Sequence, residues 1–237
     1  VGRGVNRPTA RKGERMDYEK LIIDGIEKLS GKFSPYQIFT DWVSMAAISI
    51  SNLCRPFKDK VYMEREGRYL DTSRKYNKEE LKILADMIGA LTLCFEDKIC
   101  DVLGDIYMKS GCGNKQTGQF FTPYHLSYLA ASIAYGEQID KLVESETLEV
   151  YEPSVGGGGM IIGVADVMKN RGLNYQKYIH VIAQDLDWNS VYMTYVQLSL
   201  MGIKAIVVQG NTLIEPYRIG YDESRVFRTP AEMGVIF

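Results

Sequence analysis

Apolar positions recur at helical spacing through the first half of the chain. From Asp17, the residues Tyr18, Leu21, Ile22, Ile23, Ile26 and Leu29 form one face that ends at Ser30-Gly31. Ser34-Pro35 opens a second helix running to Cys54, with Phe39, Trp42, Val43, Ala46, Ile50 and Leu53 inward. A polar connection follows Arg55-Pro56. Asn77 then caps a helix from Lys78 to about Phe95, with Glu79 and Glu80 in its first turn. A further helix spans about Asp97 to Lys109 and stops at Ser110-Gly111.

Lys115 to Pro123 is a loop by its Gly and Pro but carries the adjacent aromatics Phe120 and Phe121. Thr122 as cap and Pro123 at the helix start lead into a helix from Tyr124 to Tyr135. After Gly136 the pattern changes to short strands alternating with helices. Strands are expected at Leu148 to Tyr151, Ile179 to Ala183 and Ala205 to Val208, and helices at about Met160 to Asn170 and Asn189 to Met201. That β-α-β-α-β order implies parallel strands with helical crossovers. The fold class is therefore α/β, a helical N-terminal domain followed by a partial Rossmann-like parallel sheet. The expected division is a flexible basic arm at 1–16, a helical domain at 17–115 and the sheet domain at 116–237.

In such sheets ligands bind at the carboxyl ends of the strands, where three informative loops fall. The first, after Glu152-Pro153, contains Gly156 to Gly159 and opens a helix. Glycines there allow a ligand to lie against the main chain at the positive end of a helix dipole, although the same residues could simply form a turn. The second strand ends at Asp185, whose carboxylate suits ribose hydroxyls. The third ends near Asn211, whose amide suits an adenine edge. Asp187 reads as the cap of the following helix.

Composition narrows the rest. Lys+Arg 28 against Asp+Glu 30 gives a net charge of −2, so no global basic field marks a nucleic-acid binder. Arg3, Arg7, Arg11, Lys12 and Arg15 form a local basic arm, read as a disordered leader or as an extension upstream of a start at Met16. Cys54, Cys94, Cys100 and Cys112 contain no Cys-x-x-Cys pair, so reduced thiols in a cytoplasmic protein are expected, without a metal site. No apolar run reaches membrane-spanning length.

Taken in order, Gly118-Gln119-Phe120-Phe121-Thr122-Pro123, Glu152-Pro153-Ser154-Val155-Gly156-Gly157-Gly158-Gly159-Met160, Gln184-Asp185 and Gly210-Asn211-Thr212-Leu213 resemble the adenine-N6 DNA methyltransferases. The resemblance is especially to the modification subunits of type I restriction systems. Asp101-Val102-Leu103-Gly104-Asp105-Ile106-Tyr107 resembles their helical lead-in. The resemblance covers about residues 77 to 215. It implies a class I methyltransferase fold, S-adenosylmethionine as cofactor and DNA as partner, with target recognition often left to a specificity subunit. It implies that Phe121, Thr122 and Pro123 lie near the methionine moiety, that Glu152, Gly156 and Gly158 shape the loop beneath it, and that Asp185 holds the ribose with Asn211 by the adenine.

Two departures stand out. Gly157 occupies a position where the family carries a small hydroxyl residue. The Asn/Asp-Pro-Pro-Tyr/Phe tetrapeptide that engages the flipped adenine in this family is absent from the 237 residues, so no catalytic residue is assigned. A three-stranded sheet would leave the glycine-loop strand at an edge, to be covered by the C-terminal tail, the helical domain or a partner chain supplying the missing catalytic half. The rival readings are a non-catalytic adaptor that keeps the fold, and a dinucleotide-dependent oxidoreductase, which the Glu152-Pro153 lead into the glycines disfavours.

Overall fold

The computed structural model describes residues 17–112, 121–143 and 146–235; the basic arm and most of the loop before Phe121 lie outside them. Helix α1 (Tyr18–Leu29) is capped by Asp17, which accepts the Lys20 N–H at 3.0 Å, and buries Ile22, Ile26 and Leu29. Helix α2 (Pro35–Leu53) has Ser34 as its cap and Pro35 in its first turn. Leu53 does not point inward as expected. It is 70% exposed, although its neighbours Asn52 and Cys54 are buried, so Leu53 lies on the outward side of the helix end.

The polar connection after Pro56 is instead largely a helix, α3 (Lys60–Ser73), capped by Asp59. Its buried positions are Arg65 and Ser73, so no apolar stripe marks it. Arg65 stacks over Phe227 at 3.8 Å and donates to the Val226 carbonyl at 2.7 Å, fastening the helix to the sheet. Helix α4 (Lys78–Asp97) starts in a reciprocal capping box between Asn77 and Glu80. Helix α5 (Val102–Lys109) begins five residues later than its sequence pattern suggests. The chain leaves the helical path after Asp97, and Asp101 caps the new helix by accepting the Gly104 N–H at 2.9 Å.

Helix α6 (Tyr124–Asp140) has Pro123 in the cap position and no side-chain cap bond, so Thr122 does not play that part. Strand β1 (Leu148–Glu152) leads through the glycine loop into α7 (Gly159–Asn170). The short helix α8 (Tyr175–Tyr178) precedes β2 (Ile179–Asp185). Helix α9 (Trp188–Leu200), capped by Asp187 through the Ser190 N–H at 3.1 Å, connects to β3 (Lys204–Gln209). A strand not foreseen, β4 (Val226–Arg228), pairs antiparallel with β3.

The sheet order is β1-β2-β3-β4, with the first three strands parallel. It is an open, largely parallel sheet set in a mostly helical chain, the Rossmann-like arrangement expected from the sequence. One apolar cluster runs from α1 and α2 through α5, α7 and α9 into the strands. Phe227 seals it against Tyr192 and Tyr195 of α9, with ring centroids 5.6 and 5.1 Å apart.

Strand β1 stands at the sheet edge among the described residues. It buries Leu148 and Val150 and exposes Glu149 and Tyr151. The C-terminal segment pairs with β3 at the other edge, leaving β1 uncovered by it.

Candidate cofactor site

The three strand ends that the sequence marks as site residues meet on one rim, and hydrogen bonds lace them together. The Gly156 N–H donates to Asp185 Oδ2 at 2.8 Å, joining the loop after β1 to the end of β2. Asp185 Oδ1 accepts the Asp187 N–H at 2.9 Å, and the Leu186 N–H also bonds to this carboxylate, so three backbone N–H groups hold it in place. The third loop is tied back twice. The Gly210 N–H reaches the Asp185 carbonyl at 2.8 Å, and the Thr212 hydroxyl donates to the Pro153 carbonyl at 2.7 Å. Asn211 turns its Oδ1 onto the Leu213 N–H at 3.0 Å, so its oxygen is engaged within its own loop.

The loop itself needs glycine at two points. Gly156 and Gly158 have φ of 55° and 96°, the left-handed region that a side chain disfavours. A Cβ on Gly156 would also stand 3.2 Å from the Phe121 ring. Phe121 in turn packs edge-on against Tyr107 of α5 at 5.1 Å, so the aromatic before α6 forms one wall of the loop. Thr122 and Pro123 are exposed at the start of α6.

Electrostatics concentrate at the rim. Burial raises the Glu152 carboxyl above its ordinary range; the Ser154 N–H opposes that rise, and the nearby Asp185 charge adds to it. Asp185 is likewise raised by burial against the pull of the Asp187 and Gly156 N–H groups. Two half-buried acids with no ion-pair partner among the described residues suit a ligand that brings hydroxyls and a cation. Exposed Leu186, Leu213 and Ile214 follow the same strand ends and offer apolar surface to a flat ring. A separate cavity of about 380 Å³ lies away from the rim, among Arg55, Arg65, Glu223 and Arg228, where Arg55 pairs with Asp59 and Arg228 with Glu223.

Residues beneath the loop complete the site, and the sequence reading assigned them no role there. Thr194 donates to the Gly156 carbonyl at 2.9 Å, and Gln197 donates to the Gly157 carbonyl at 2.7 Å and to Asp101 Oδ1 at 2.8 Å. Asp101 is 3% exposed, and burial pushes its carboxyl up to about 6. The available signal was Thr194 and Gln197 three residues apart on a helix otherwise rich in apolar and aromatic residues.

Four cysteines are free thiols, all buried. No helix among the described residues is long and apolar enough to cross a membrane.

Among solved structures, the chain is similar to a Listeria monocytogenes protein assigned to the class I S-adenosylmethionine-dependent methyltransferases. That match has 12% identity and a TM-score of 0.47, and covers 86% of this chain and 55% of the other. It is also similar to a type I restriction-modification methyltransferase subunit from Streptococcus thermophilus, with 12% identity, a TM-score of 0.45, and coverage of 86% and 60%. The chain thus spans little more than half the length of these two proteins. No curated protein matches it. The sequence model of the N-6 DNA Methylase family matches residues 98–227, from the lead-in of α5 through the glycine loop and the rim to β4. Since that match takes in more than half of the 237 residues, the chain belongs to the N-6 DNA methylase family.

Proposed function

We propose that the rim binds S-adenosylmethionine and that the chain is the cofactor-binding portion of an adenine-N6 DNA methyltransferase of restriction-modification type, working in the cytoplasm. The observation that carries this reading is the Gly156 N–H to Asp185 contact at 2.8 Å, which makes the glycine loop and the acid of the second strand one preorganised unit. The residues fit the cofactor's chemistry. The Asp185 carboxylate suits the ribose hydroxyls, the Asn211 amide and apolar Leu186 suit an adenine, and Glu152 suits an ammonium group.

When bound, the cofactor would supply an electrophilic methyl group. This chain's own residues hold and orient it: Phe121, Thr122 and Pro123 border the methionine end, while Gly156 and Gly158 allow close approach of the main chain. Catalysis is then chiefly a matter of positioning and desolvation. The tetrapeptide that would engage the adenine is absent from the sequence. DNA and a specificity subunit are the partners that this reading implies. The uncovered edge of β1 is where additional strands would join the sheet.

The open edge of β1 among the described residues favours a second reading, a non-catalytic adaptor that keeps the fold to bind DNA or a restriction subunit. Titration calorimetry with S-adenosylmethionine, a nicotinamide dinucleotide as control and Asp185→Ala as site variant tests the cofactor claim. Selective binding that the variant loses supports it, and no binding by folded protein refutes it. Methylation restored by a separately encoded chain would distinguish enzyme portion from adaptor.

A further inference from the structure

Gln197 lies within α9 with 0% of its surface exposed, and all of its hydrogen-bonding groups are engaged. Its Oε1 accepts the Leu103 N–H at 3.1 Å. A backbone N–H can only donate, so it fixes which end of the amide is oxygen. The two hydrogens on Nε2 are then directed at Asp101 Oδ1, 2.8 Å away, and the Gly157 carbonyl, 2.7 Å away. Asp101 Oδ1 also accepts the Gly104 N–H at 2.9 Å, which holds the carboxyl in place. The start of α5, the glycine loop and α9 are thereby joined through one side chain.

One turn earlier on α9, the Thr194 hydroxyl takes the Gly156 carbonyl at 2.9 Å. Both glycine carbonyls are thus drawn toward α9. In a trans peptide the N–H points opposite to the carbonyl, and there are no cis bonds here. The Gly157 N–H, which shares a peptide with the Gly156 carbonyl, therefore points away from α9. The N–H groups of Ser154, Val155, Gly156 and Gly158 are all bonded, to Glu152, the Gln184 carbonyl, Asp185 and the Val155 carbonyl. That of Gly157 has no partner among the described residues.

We infer that Gln197, clamped by Asp101 and Leu103, is a positioning residue that sets the glycine peptides so that the Gly157 N–H is presented to an oxygen of the bound ligand. The inference rests on the reading of this loop as the cofactor seat. It assigns Gln197 and Asp101 no contact with the ligand; they act through the backbone.

The test uses Gln197→Met, similar in length but without hydrogen-bonding groups, together with Asp101→Leu, Asp101→Asn and the double variant Asp101→Leu/Gln197→Met. Affinity for S-adenosylmethionine is measured by calorimetry, and folding by circular dichroism and thermal midpoint. Gln197→Met and Asp101→Leu are expected to bind at least about tenfold more weakly, and the double variant no more weakly than either single change. Asp101→Asn is expected to stay within about threefold of the parent, since one amide oxygen can accept both N–H groups. Parent-like affinity in folded Gln197→Met, or Asp101→Asn as weak as Asp101→Leu, would overturn the inference.

If the parent protein binds no S-adenosylmethionine, the cofactor reading falls. The clamp is then judged by the amide resonances of Gly157 and Gly158. They should move in Gln197→Met and not in Asp101→Asn, and unchanged resonances in Gln197→Met would overturn it. Should Gln197→Met fail to fold, Thr194→Val releases the Gly156 carbonyl alone. It should weaken binding several-fold and shift the Gly157 amide, and no change in either would count against the inference.

Discussion

Oδ2 of Asp185 accepts the N–H of Gly156 at 2.8 Å, so the acid that ends β2 is already a structural member of the loop that follows β1. Its other oxygen holds the Asp187 N–H at 2.9 Å at the start of α9. One side chain thus sets the spacing of two strand ends. Asp185→Ala is expected to remove both bonds, destabilising the protein by about 1–3 kcal/mol. It should also weaken S-adenosylmethionine binding by at least about tenfold, as read by calorimetry beside a thermal melt.

Asp101 predicts a particular pH dependence. Its carboxyl is raised to about 6 from an ordinary 3.8, first by burial and also by the Asp105 charge, against the opposing bonds from Gln197 and Gly104. The groups that approach it from the glycine loop, the start of α7 and α9 are uncharged, namely Gly157, Gly159 and Gln197, while Cys100 lies just before it in the chain. A folded value above the unfolded one means that the contribution to stability is fully present below about 3.8 and is lost as pH rises through about 6. Asp101→Asn should therefore flatten the stability profile across that window. It should leave the protein more stable than the parent at pH 8, by on the order of 2–3 kcal/mol. Urea unfolding of both proteins from pH 4 to pH 8 measures the difference.

The resemblance implies a small hydroxyl residue where Gly157 stands, and the packing around it shows what such a side chain would meet. A Cβ built there would lie 3.3 Å from the flexible Met193 Cε and 3.4 Å from Asp101 Oδ2. Met193 can yield, and a serine hydroxyl would come within reach of the buried carboxylate. Gly157→Ser is expected to stabilise the protein by about 0.5–1.5 kcal/mol and to tighten cofactor binding, since it adds a bond and restricts the unfolded loop. A lowered thermal midpoint would show that Met193 cannot move.

Gly163 brings α7 up against the backbone of α6. A Cβ there would meet the Ser127 carbonyl oxygen at 3.0 Å, and a backbone atom cannot step aside as a side-chain end can. Gly163→Ala should cost about 1–3 kcal/mol through displacement of α6. Since α6 carries Pro123 at its start, cofactor binding should weaken as well; equal stability by chemical unfolding would contradict the packing argument.

Much of this architecture could be read before any coordinates. The cap at Asn77, the cap at Asp187 and the strand-loop-helix texture around Gly156 to Gly159 are written in neighbouring residues, and each appears in the structure. The parallel order of β1, β2 and β3 brings Glu152, Asp185 and the segment before Asn211 to one rim, because every crossover returns the chain to the same end of the sheet. Helix α3 escaped notice because its buried positions are Arg65 and Ser73, whose burial depends on partners at Phe227 and Val226 far along the chain. Strand β4 is only three residues long and is defined by its pairing with β3.

What the sequence determined by itself is therefore local: periodicity, caps, glycines in the left-handed region and the succession of strands and helices. These depend on residues within a turn or two of one another. The tertiary structure alone decided that Asp101 and Gln197, 96 residues apart, meet beneath the glycine loop, and that β4 pairs with β3 rather than with β1. A buried amide or acid gains its partners only when distant segments pack, and before that its letter in the sequence looks like any other polar residue on an apolar helix.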